Sequence, residues 1–228
     1  PKMKVHAKLC IIKKRKGNKT VQYGFVSTGN LNEKTARVYG DHCLLTANRM
    51  IMADINRIFN YLENWKTASA QLKQCKTLMV CPTNMRQELI NFINREVKAA
   101  KAGKEAIITL KVNSLSDATL IDKLYAAAAA GVEIRLIVRG IFCAVIDHKK
   151  FKQPIRAVSI VDEYLEHARV LIFHNGGQEK IYISSADWMV RNLDHRIEAA
   201  VPITDPLIRE ELKQIIHIQL RDNVKARI

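Results

Sequence analysis

The chain has 228 residues, 48% of them hydrophobic, and this length is enough to bury the core of one large domain or of two modest ones. Lysine and arginine number 37 against 22 aspartate and glutamate, and the net charge of +15 favours a polyanionic partner: a nucleotide, a phosphate polymer, a nucleic acid or an anionic membrane surface. The five cysteines are odd in number and form no CxxC pair, which argues against a zinc site or a disulfide framework and predicts reduced thiols in a cytoplasmic protein. No apolar run approaches the roughly 20 residues that cross a bilayer, and no signal peptide is visible.

A β-hairpin is predicted at the start of the chain. Residues 4–12 predict one strand, 13–19 the turn and 20–27 the partner strand. The basic residues crowded around the turn indicate a solvated hairpin tip. The polar stretch 31–39 has no clean period and predicts a loop or short helix lining a site, which its longer side chains can reach: Lys34, Arg37 and Tyr39.

A helix and a linker complete the first part. After a short strand at 41–46, Asn48 is predicted to cap a helix whose apolar side chains recur at helical spacing and belong to the core. The polar stretch 67–76 interrupts that pattern and predicts a linker. It divides the chain into a first domain, residues 1–66, and a second domain, residues 77–228.

The second domain alternates strands and helices. Strands are predicted at 77–81, 106–112, 132–138 and 155–161, and helices at 84–102 and 116–130. Strand 132–138 delivers Arg139 to its carboxyl end, where ligands collect in open α/β sheets. Asn175–Gly177 predicts a hairpin turn, and residues 206–220 predict a closing amphipathic helix.

One pattern of residues occurs twice. His6-Ala-Lys8 and His167-Ala-Arg169 each precede an apolar strand, a polar turn and a second strand. Each copy then ends in a cluster of small polar side chains: Asn30 in the first copy, and Ser184, Ser185 and Asp187 in the second. The repeat predicts an α/β fold of two related domains, the first of them incomplete at its amino terminus.

The repeated motif places a histidine beside a fixed cation. Residues two apart in a strand share a face, so His6 is expected to meet Lys8, and His167 to meet Arg169. An imidazole can attack phosphorus or pass a proton, while the neighbouring cation balances charge on phosphate oxygens. Two facing copies predict a pseudo-symmetric site for a negatively charged substrate, in which the polar clusters orient the histidines and the backbone.

The paired motifs resemble those of the phospholipase D superfamily, in which one histidine takes the phosphoryl group and the other acts as acid or base. A narrower similarity runs through nearly all 228 residues. It is carried by the segments VHAK (5–8), STGNLNEKTARVY (27–39), LLTA (44–47), IVRG (137–140), YLEH (164–167) and YISSADWM (182–189). Together they resemble the carboxy-terminal catalytic region of bacterial polyphosphate kinase, which implies two phospholipase D-like α/β domains.

This resemblance implies reversible transfer of the terminal phosphate of ATP to polyphosphate through a phosphohistidine. By motif match, His6 is the phosphorylated nucleophile and His167 its partner. Lys8 and Arg169 are the expected charge partners of the two histidines. Substrate contacts are expected from six side chains: Tyr39, Arg139, His167, Asn30, Lys34 and Arg37.

Two positions depart from the patterns. Phe25 stands where many family members carry a second histidine, and a phenyl ring cannot accept a phosphate. Lys13 lies five residues after the motif lysine, where the phospholipase pattern has aspartate, and this favours the kinase over a diesterase.

The resemblance also implies partners and a cofactor. ATP or ADP and inorganic polyphosphate are the expected substrates, with no role for nucleic acid. Mg²⁺ is expected to be held by residues upstream of Pro1, with no metal ligand within this chain. Further expectations are a homo-oligomer, a cytoplasmic location that allows peripheral association with the inner membrane, and weak or no activity of these 228 residues alone.

Two other functions stay open. A phospholipase D-like phosphodiesterase or nuclease would use the same histidines with water as the final acceptor, and would need no ATP. A non-catalytic polyanion-binding module would bind with steep salt dependence and be indifferent to His6→Ala.

Overall fold

A nine-stranded mixed sheet forms the centre of the computed structural model, which describes residues 3–66 and 69–227. The strands, in chain order, are β1 (Lys4–Val5), β2 (Lys8–Lys16), β3 (Lys19–Ser27), β4 (Tyr39–Gly40), β5 (Cys43–Thr46), β6 (Met79–Cys81), β7 (Ile107–Val112), β8 (Glu133–Val138), β9 (Arg156–Ile160), β10 (Leu165–Glu166), β11 (Arg169–Phe173), β12 (Lys180–Ser184), β13 (Arg196–Pro202) and β14 (Ala226–Arg227). The helices are α1 (Glu33–Ala36), α2 (Arg49–Glu63), α3 (Ser69–Lys73), α4 (Met85–Lys101), α5 (Ala118–Ala130), α6 (Val190–His195) and α7 (Pro206–Arg221), and a 3-10 turn covers Asn175–Gly177. The α/β prediction is therefore confirmed.

The large sheet runs in the order β1-β13-β12-β11-β7-β8-β9-β14, and β6 also pairs with β13. Its strands β7, β8 and β9 are parallel, whereas β11, β12 and β13 are antiparallel. Parallel strands covered on both faces are rich in apolar residues, and β7 (IITLKV) and β8 (EIRLIV) each contain four of them among six positions. The two smaller sheets are β10-β4 and β2-β3-β5.

Helices cover both faces of the large sheet. One apolar cluster joins α4 and α5 to the strands and includes Leu89, Leu124 and Tyr182. The other joins α2, α3 and α7 to the strands and includes Ile181 and Ile183. Successive residues of β12 thus point into opposite clusters, as the strand period requires. Burial of each such large apolar side chain contributes about 1.5–3 kcal/mol.

The second of these clusters crosses the predicted linker. Val26 and Ile55 share it with Ile183 and Val201, and β1 pairs in parallel with β13. Within the predicted linker, α3 forms and Leu72 is buried, while residues 67 and 68 lie outside the described residues. The first part of the chain is therefore packed onto the second through a common core, and the division at 66 and 77 stays a prediction.

The first hairpin differs from its prediction. The strand expected at 4–12 is interrupted at His6 and Ala7, where the chain leaves the large sheet and enters the β2-β3-β5 sheet. The turn contains only Gly17 and Asn18, because the basic residues 13–16 continue β2 and Lys19 begins β3. Gly17 has φ +60°, a left-handed conformation that costs glycine little.

The sequence signals of the helix α2 are stronger than those of the strand β13. The Asn48 side chain accepts the N–H groups of Met50 and Ile51 at 2.9 and 3.2 Å and caps α2, as predicted. The sequence does not predict α6 or β13, because Arg196 and Glu198 break the apolar pattern of that strand. Among the described residues, no helix is long and apolar enough to cross a bilayer.

Candidate active site

Both motif histidines lie where the chain passes from one sheet to another. His6 follows β1, and the N–H groups of His6 and Ala7 both donate to the carbonyl of Ile197, each at 2.9 Å. His167 follows β10, and the N–H groups of His167 and Ala168 donate to the carbonyl of Gly40 at 3.1 and 2.9 Å. The same backbone arrangement thus forms twice, and the internal repeat is confirmed.

The His6 imidazole is held between a carboxylate and an ammonium group. Its Nδ1 lies 2.9 Å from Oε2 of Glu198, and its Nε2 lies 2.9 Å from Nζ of Lys8. Because a carboxylate can only accept, Nδ1 carries the proton and Nε2 presents its lone pair. Glu198 has no solvent exposure and also accepts from Ser185 Oγ and from Asn192 Nδ2.

The His167 imidazole has the same environment with different residues. Its Nδ1 lies 2.9 Å from both carboxylate oxygens of Asp41, and its Nε2 lies 3.1 Å from Nη1 of Arg169. Thr28 Oγ1 donates to Asp41 at 2.6 Å, as Ser185 donates to Glu198 in the other half. The two histidines therefore share one tautomer and one pattern of partners.

The carboxylates are exchanged between the halves of the repeat. Asp41 belongs to the first half and bonds His167, whereas Glu198 belongs to the second half and bonds His6. Each carboxylate follows its hydroxyl partner by 13 residues, Asp41 after Thr28 and Glu198 after Ser185. Each histidine therefore takes its carboxylate partner from the opposite half of the repeat.

The charges of the two halves act on one another. Burial lowers the pKa of the Lys8 ammonium to about 8, Glu198 opposes the change, and the Arg169 guanidinium adds to it. Burial alone would raise the pKa of Asp41, but hydrogen bonds from His167 and Thr28 outweigh burial and lower it. Two histidines, two cations and two carboxylates therefore form one electrostatic unit.

Asp187 holds Arg169 and the neighbouring backbone of the second half in place, and its role in orienting the site during a reaction stays a prediction. Its carboxylate binds Arg169 through two parallel contacts, Nε–Oδ1 at 3.2 Å and Nη2–Oδ2 at 3.1 Å. Asp187 also accepts the backbone N–H of Asn113 at 2.8 Å, and the Asn113 side chain donates to the carbonyl of His167. Ser184 Oγ accepts the N–H of Ala186 at 3.0 Å.

Tyr39 and Arg139 lie beside His167. The Tyr39 and His167 ring centroids are 4.9 Å apart and tilted by 50°. Arg139 Nε donates to the carbonyl of Glu166 at 3.0 Å, next to His167 in the chain. Both side chains therefore lie on the His167 side of the site. Tyr39 reaches it from β4, which belongs to the first part of the chain.

Three other sequence candidates, and Phe25 at the position that departs from the family pattern, are not joined to the histidines by any described contact. Asn30, Lys34 and Arg37 are exposed, and Arg37 pairs with Glu33 at 2.5 Å. Phe25 lies within β3, opposite Cys10 and Leu45. A role in substrate binding for the three polar residues stays a prediction.

Sequence reasoning missed four residues of the site: Asp41, Glu198, Thr28 and Asn113. Asp41 and Glu198 lie outside the repeated motif, and each contacts a histidine far away in the chain. The spacing of 13 residues between hydroxyl and carboxylate is the sequence signal that could have revealed them.

The site residues do not fit a magnesium ion by themselves. In residues 3–66 and 69–227, no three His, Cys, Asp or Glu side chains are grouped to hold a metal. The carboxylates of Asp41, Glu198 and Asp187 are already bonded to histidine or arginine. A requirement for Mg²⁺ stays a prediction.

Known proteins match this chain along its whole length. Residues 1–68 match the family model "Polyphosphate kinase C-terminal domain 1", and residues 78–228 match "Polyphosphate kinase C-terminal domain 2". The curated polyphosphate kinases of Vibrio cholerae and Escherichia coli K12 are each 46% identical over 100% of this chain, which spans only 32% of their length. The crystal structure of polyphosphate kinase from Porphyromonas gingivalis is similar with a TM-score of 0.90 and 46% identity, over 99% of this chain and 34% of that one.

The two family models together account for nearly every residue, and the relatives are similar across both halves of the repeat. The resemblance carried by the sequence motifs is confirmed. The chain belongs to the polyphosphate kinase family.

Proposed function

We propose that this chain carries the phosphohistidine site of a polyphosphate kinase, in which the terminal phosphate of ATP passes through His6 to polyphosphate. The observation that carries the proposal is the hydrogen bonding of His6. Because Nδ1–H is donated to Glu198, Nε2 is the nitrogen that presents a lone pair, and the Lys8 cation lies beside it. A neutral imidazole is a competent nucleophile near pH 7.

In the first step the Nε2 lone pair of His6 forms a bond to the γ-phosphorus of ATP. The bond from that phosphorus to the β,γ-bridging oxygen breaks, and ADP leaves with the electron pair. The imidazole keeps its Nδ1 proton and becomes a positively charged phosphohistidine, whose charge the Glu198 carboxylate balances. In the second step a terminal oxygen of polyphosphate attacks the phosphorus, the N–P bond breaks, and neutral His6 returns.

The other site residues act on the phosphate groups. Lys8 and Arg169 offset negative charge on the transferred phosphoryl group, which needs cations and positioning more than covalent help. His167, once protonated, can donate from Nε2 to the leaving oxygen of ADP. Tyr39 and Arg139 lie beside His167 and would contact the nucleotide.

The test is phosphate labelling of the native protein. The protein is incubated with γ-labelled ATP and Mg²⁺ and quenched in alkali, which preserves phosphohistidine. We expect an acid-labile, alkali-stable label that is lost in His6→Ala and in His6→Gln, whose amide can still donate to Glu198. His217→Ala is the control, because His217 is exposed on α7 and has no part in the site.

Two results would contradict the proposal. One is a label that survives both His6 variants, since the nucleophile would then be another residue. The other is an unlabelled wild type that cleaves a phosphodiester without ATP, which would support the phospholipase D-like alternative.

A further inference from the structure

The β2-β3 hairpin is longer than its counterpart in the second half. β2 and β3 have nine residues each, whereas β11 and β12 have five each. The registers correspond, because Lys8 pairs with Ser27 as Arg169 pairs with Ser184. Residues 13–16 and 19–22 have no equivalent, and we call them the hairpin extension.

The hairpin extension is strongly basic. Five of its eight residues are cations: Lys13, Lys14, Arg15, Lys16 and Lys19. The sequence contains no aspartate or glutamate before Glu33, and within the described residues none of these five cations forms an ion pair. Lys16 and Lys19 face one another across the strands, an arrangement that destabilises a sheet when the charges are alike.

The fold gives the hairpin extension little support. β5 pairs with β3 only over residues 24–27, so the strands of the extension pair only with each other. All of its residues except Gln22 are exposed. A two-stranded ribbon is at best marginally stable in water, and five unpaired cations weaken it further. An external anion would offset this repulsion.

The hairpin extension is connected directly to the active site. β2 begins at Lys8, whose ammonium contacts His6, and continues to Lys16. Eight residues of extended strand cover roughly 27 Å at about 3.4 Å per residue. A long phosphate polymer with one end at His6 could reach the far end of the extension, at Lys16 and Lys19, whereas a nucleotide is too short to reach that end.

We propose that the hairpin extension binds the distal part of the polyphosphate chain whose terminal phosphate lies at His6. The inference rests on the function proposed above and adds a second contact for the polymer, away from the reacting atoms. Val21 within the extension and Ile12 and Tyr23 beside it are exposed apolar side chains. An anionic membrane is therefore the competing partner.

The placement of the cations favours the polymer. Lys13 and Arg15 point to one face of the ribbon, and Lys14, Lys16 and Lys19 to the other, which also carries Ile12, Val21 and Tyr23, as the register and the strand period require. A membrane would contact only this second face, which combines apolar and basic residues, and would leave Lys13 and Arg15 without an anionic partner. A flexible polyanion can contact both faces.

The test removes charge from the hairpin extension of the native protein. The hairpin variant carries Lys14→Gln, Lys16→Gln and Lys19→Gln. We expect its affinity for long-chain polyphosphate to fall by roughly tenfold or more, and the slope of log Kd against log salt to decrease by about 2, because up to three phosphate contacts are lost. Its product chains should be shorter, while labelling of His6 by ATP should stay within about twofold of wild type, since the reacting atoms are unchanged.

Two matched variants complete the experiment. Lys98→Gln, Lys101→Gln and Lys104→Gln remove the same charge from exposed positions at the end of α4 and beyond it, and should leave polymer affinity and product length unchanged. Lys14→Arg, Lys16→Arg and Lys19→Arg keep the charge and should retain wild-type behaviour. If the hairpin variant matches the α4 variant, the inference is wrong.

Two further outcomes separate the possible failures. Binding to vesicles of anionic phospholipid is measured for the hairpin variant and for wild type. If the variant loses vesicle binding but binds polyphosphate as wild type does, the inference is overturned in favour of a membrane. A wild type that makes no polyphosphate from ATP would refute the proposed function, and with it the role of the hairpin extension in elongation.

Discussion

His6 depends on a carboxylate that lies 192 residues away in the chain. Glu198 is completely buried, and it holds the Nδ1 proton of His6 while Ser185 and Asn192 fix its own position. A buried carboxylate in this position sets the tautomer of the imidazole, and in the proposed reaction it would offset the positive charge that develops on phosphorylation of Nε2. We therefore expect the negative charge of Glu198 to assist the proposed transfer.

Replacing Glu198 by glutamine should slow phosphorylation of His6 by at least about a hundredfold. The amide oxygen can still accept a hydrogen bond from Nδ1–H, but the neutral amide cannot balance the charge of the phosphohistidine. The measurement is the single-turnover rate of labelling by ATP. Glu96→Gln is the control, because Glu96 is equally buried but accepts the backbone N–H groups of Ile107 and Asn175.

The control variant should lose stability while keeping the labelling rate of its folded fraction. Equal rates for Glu198→Gln and wild type would show that the carboxylate only orients the ring.

We expect Lys8 to give the labelling of His6 a dependence on pH. Its pKa is lowered to about 8, chiefly by burial, so the ammonium loses its proton as the pH rises through 8. If the cation offsets charge on the transferred phosphoryl group, the labelling rate of His6 should fall above about pH 8. In Lys8→Arg the fall should move to higher pH, because a guanidinium stays protonated. An identical alkaline limb in both proteins would assign that ionisation to another group.

At the scale of single residues, the sequence predicts the groups that recur and misses those that pair across the molecule. His6, Lys8, His167 and Arg169 stand in a visible repeat. Asp41 has no local pattern of its own, since its partner His167 is 126 positions away. Contacts of this kind depend on the tertiary fold.

At the scale of elements, α2 is fixed to the segment before β6 by a single buried carboxylate. Asp54 Oδ2 accepts the backbone N–H groups of Lys76, Thr77 and Leu78 at 2.7 to 3.0 Å, and Oδ1 accepts from Arg57 at 2.5 Å. These bonds satisfy three adjacent donors at the entrance to β6. They connect the helix of the first part to the large sheet.

Asp54→Asn should lower the free energy of unfolding by about 2–4 kcal/mol, because the buried charge and its ion pair with Arg57 are lost. The amide oxygen can still accept the three backbone N–H groups, but uncharged and more weakly, and the amide nitrogen is a donor facing the Arg57 guanidinium. Urea unfolding followed by circular dichroism measures the change. Asp122→Asn, at an exposed position of α5, should change stability by less than about 0.5 kcal/mol. Equal effects of the two substitutions would contradict the role of Asp54.

Elements with strong local sequence signals form where the sequence predicts them. Elements whose backbone or side chains belong to the candidate site differ from their predictions. Asn48 caps α2, and Gly131 ends α5 with φ +100°, as their residue types predict. The first strand is interrupted at His6 because the backbone must donate twice to Ile197. β13 escapes prediction because it places Glu198 inside the core, where an apolar residue would be expected.

At the scale of the whole molecule, the two halves of the repeat form one site by exchanging carboxylates. His6 with Glu198 and His167 with Asp41 each join residues from opposite halves. The Lys8 ammonium is influenced by Glu198, Arg169 and Asp41, so charges from both pairs act on the same group. We therefore expect the two pairs to serve a single transfer event.

A double variant tests whether the two histidine–carboxylate pairs act in the same transfer event. If Asp41→Asn and Glu198→Gln each slow labelling of His6 by about a hundredfold, independent effects would multiply to about ten-thousandfold. When residues act together in one transition state, the effects of substituting them do not multiply. We therefore expect labelling of His6 in the double variant to be little slower than in the slower single variant. Asp122→Asn combined with Glu198→Gln is the control and should behave like Glu198→Gln alone. A fully multiplicative loss would mean that the two histidines contribute separately, as two half-sites that the fold only happens to bring together.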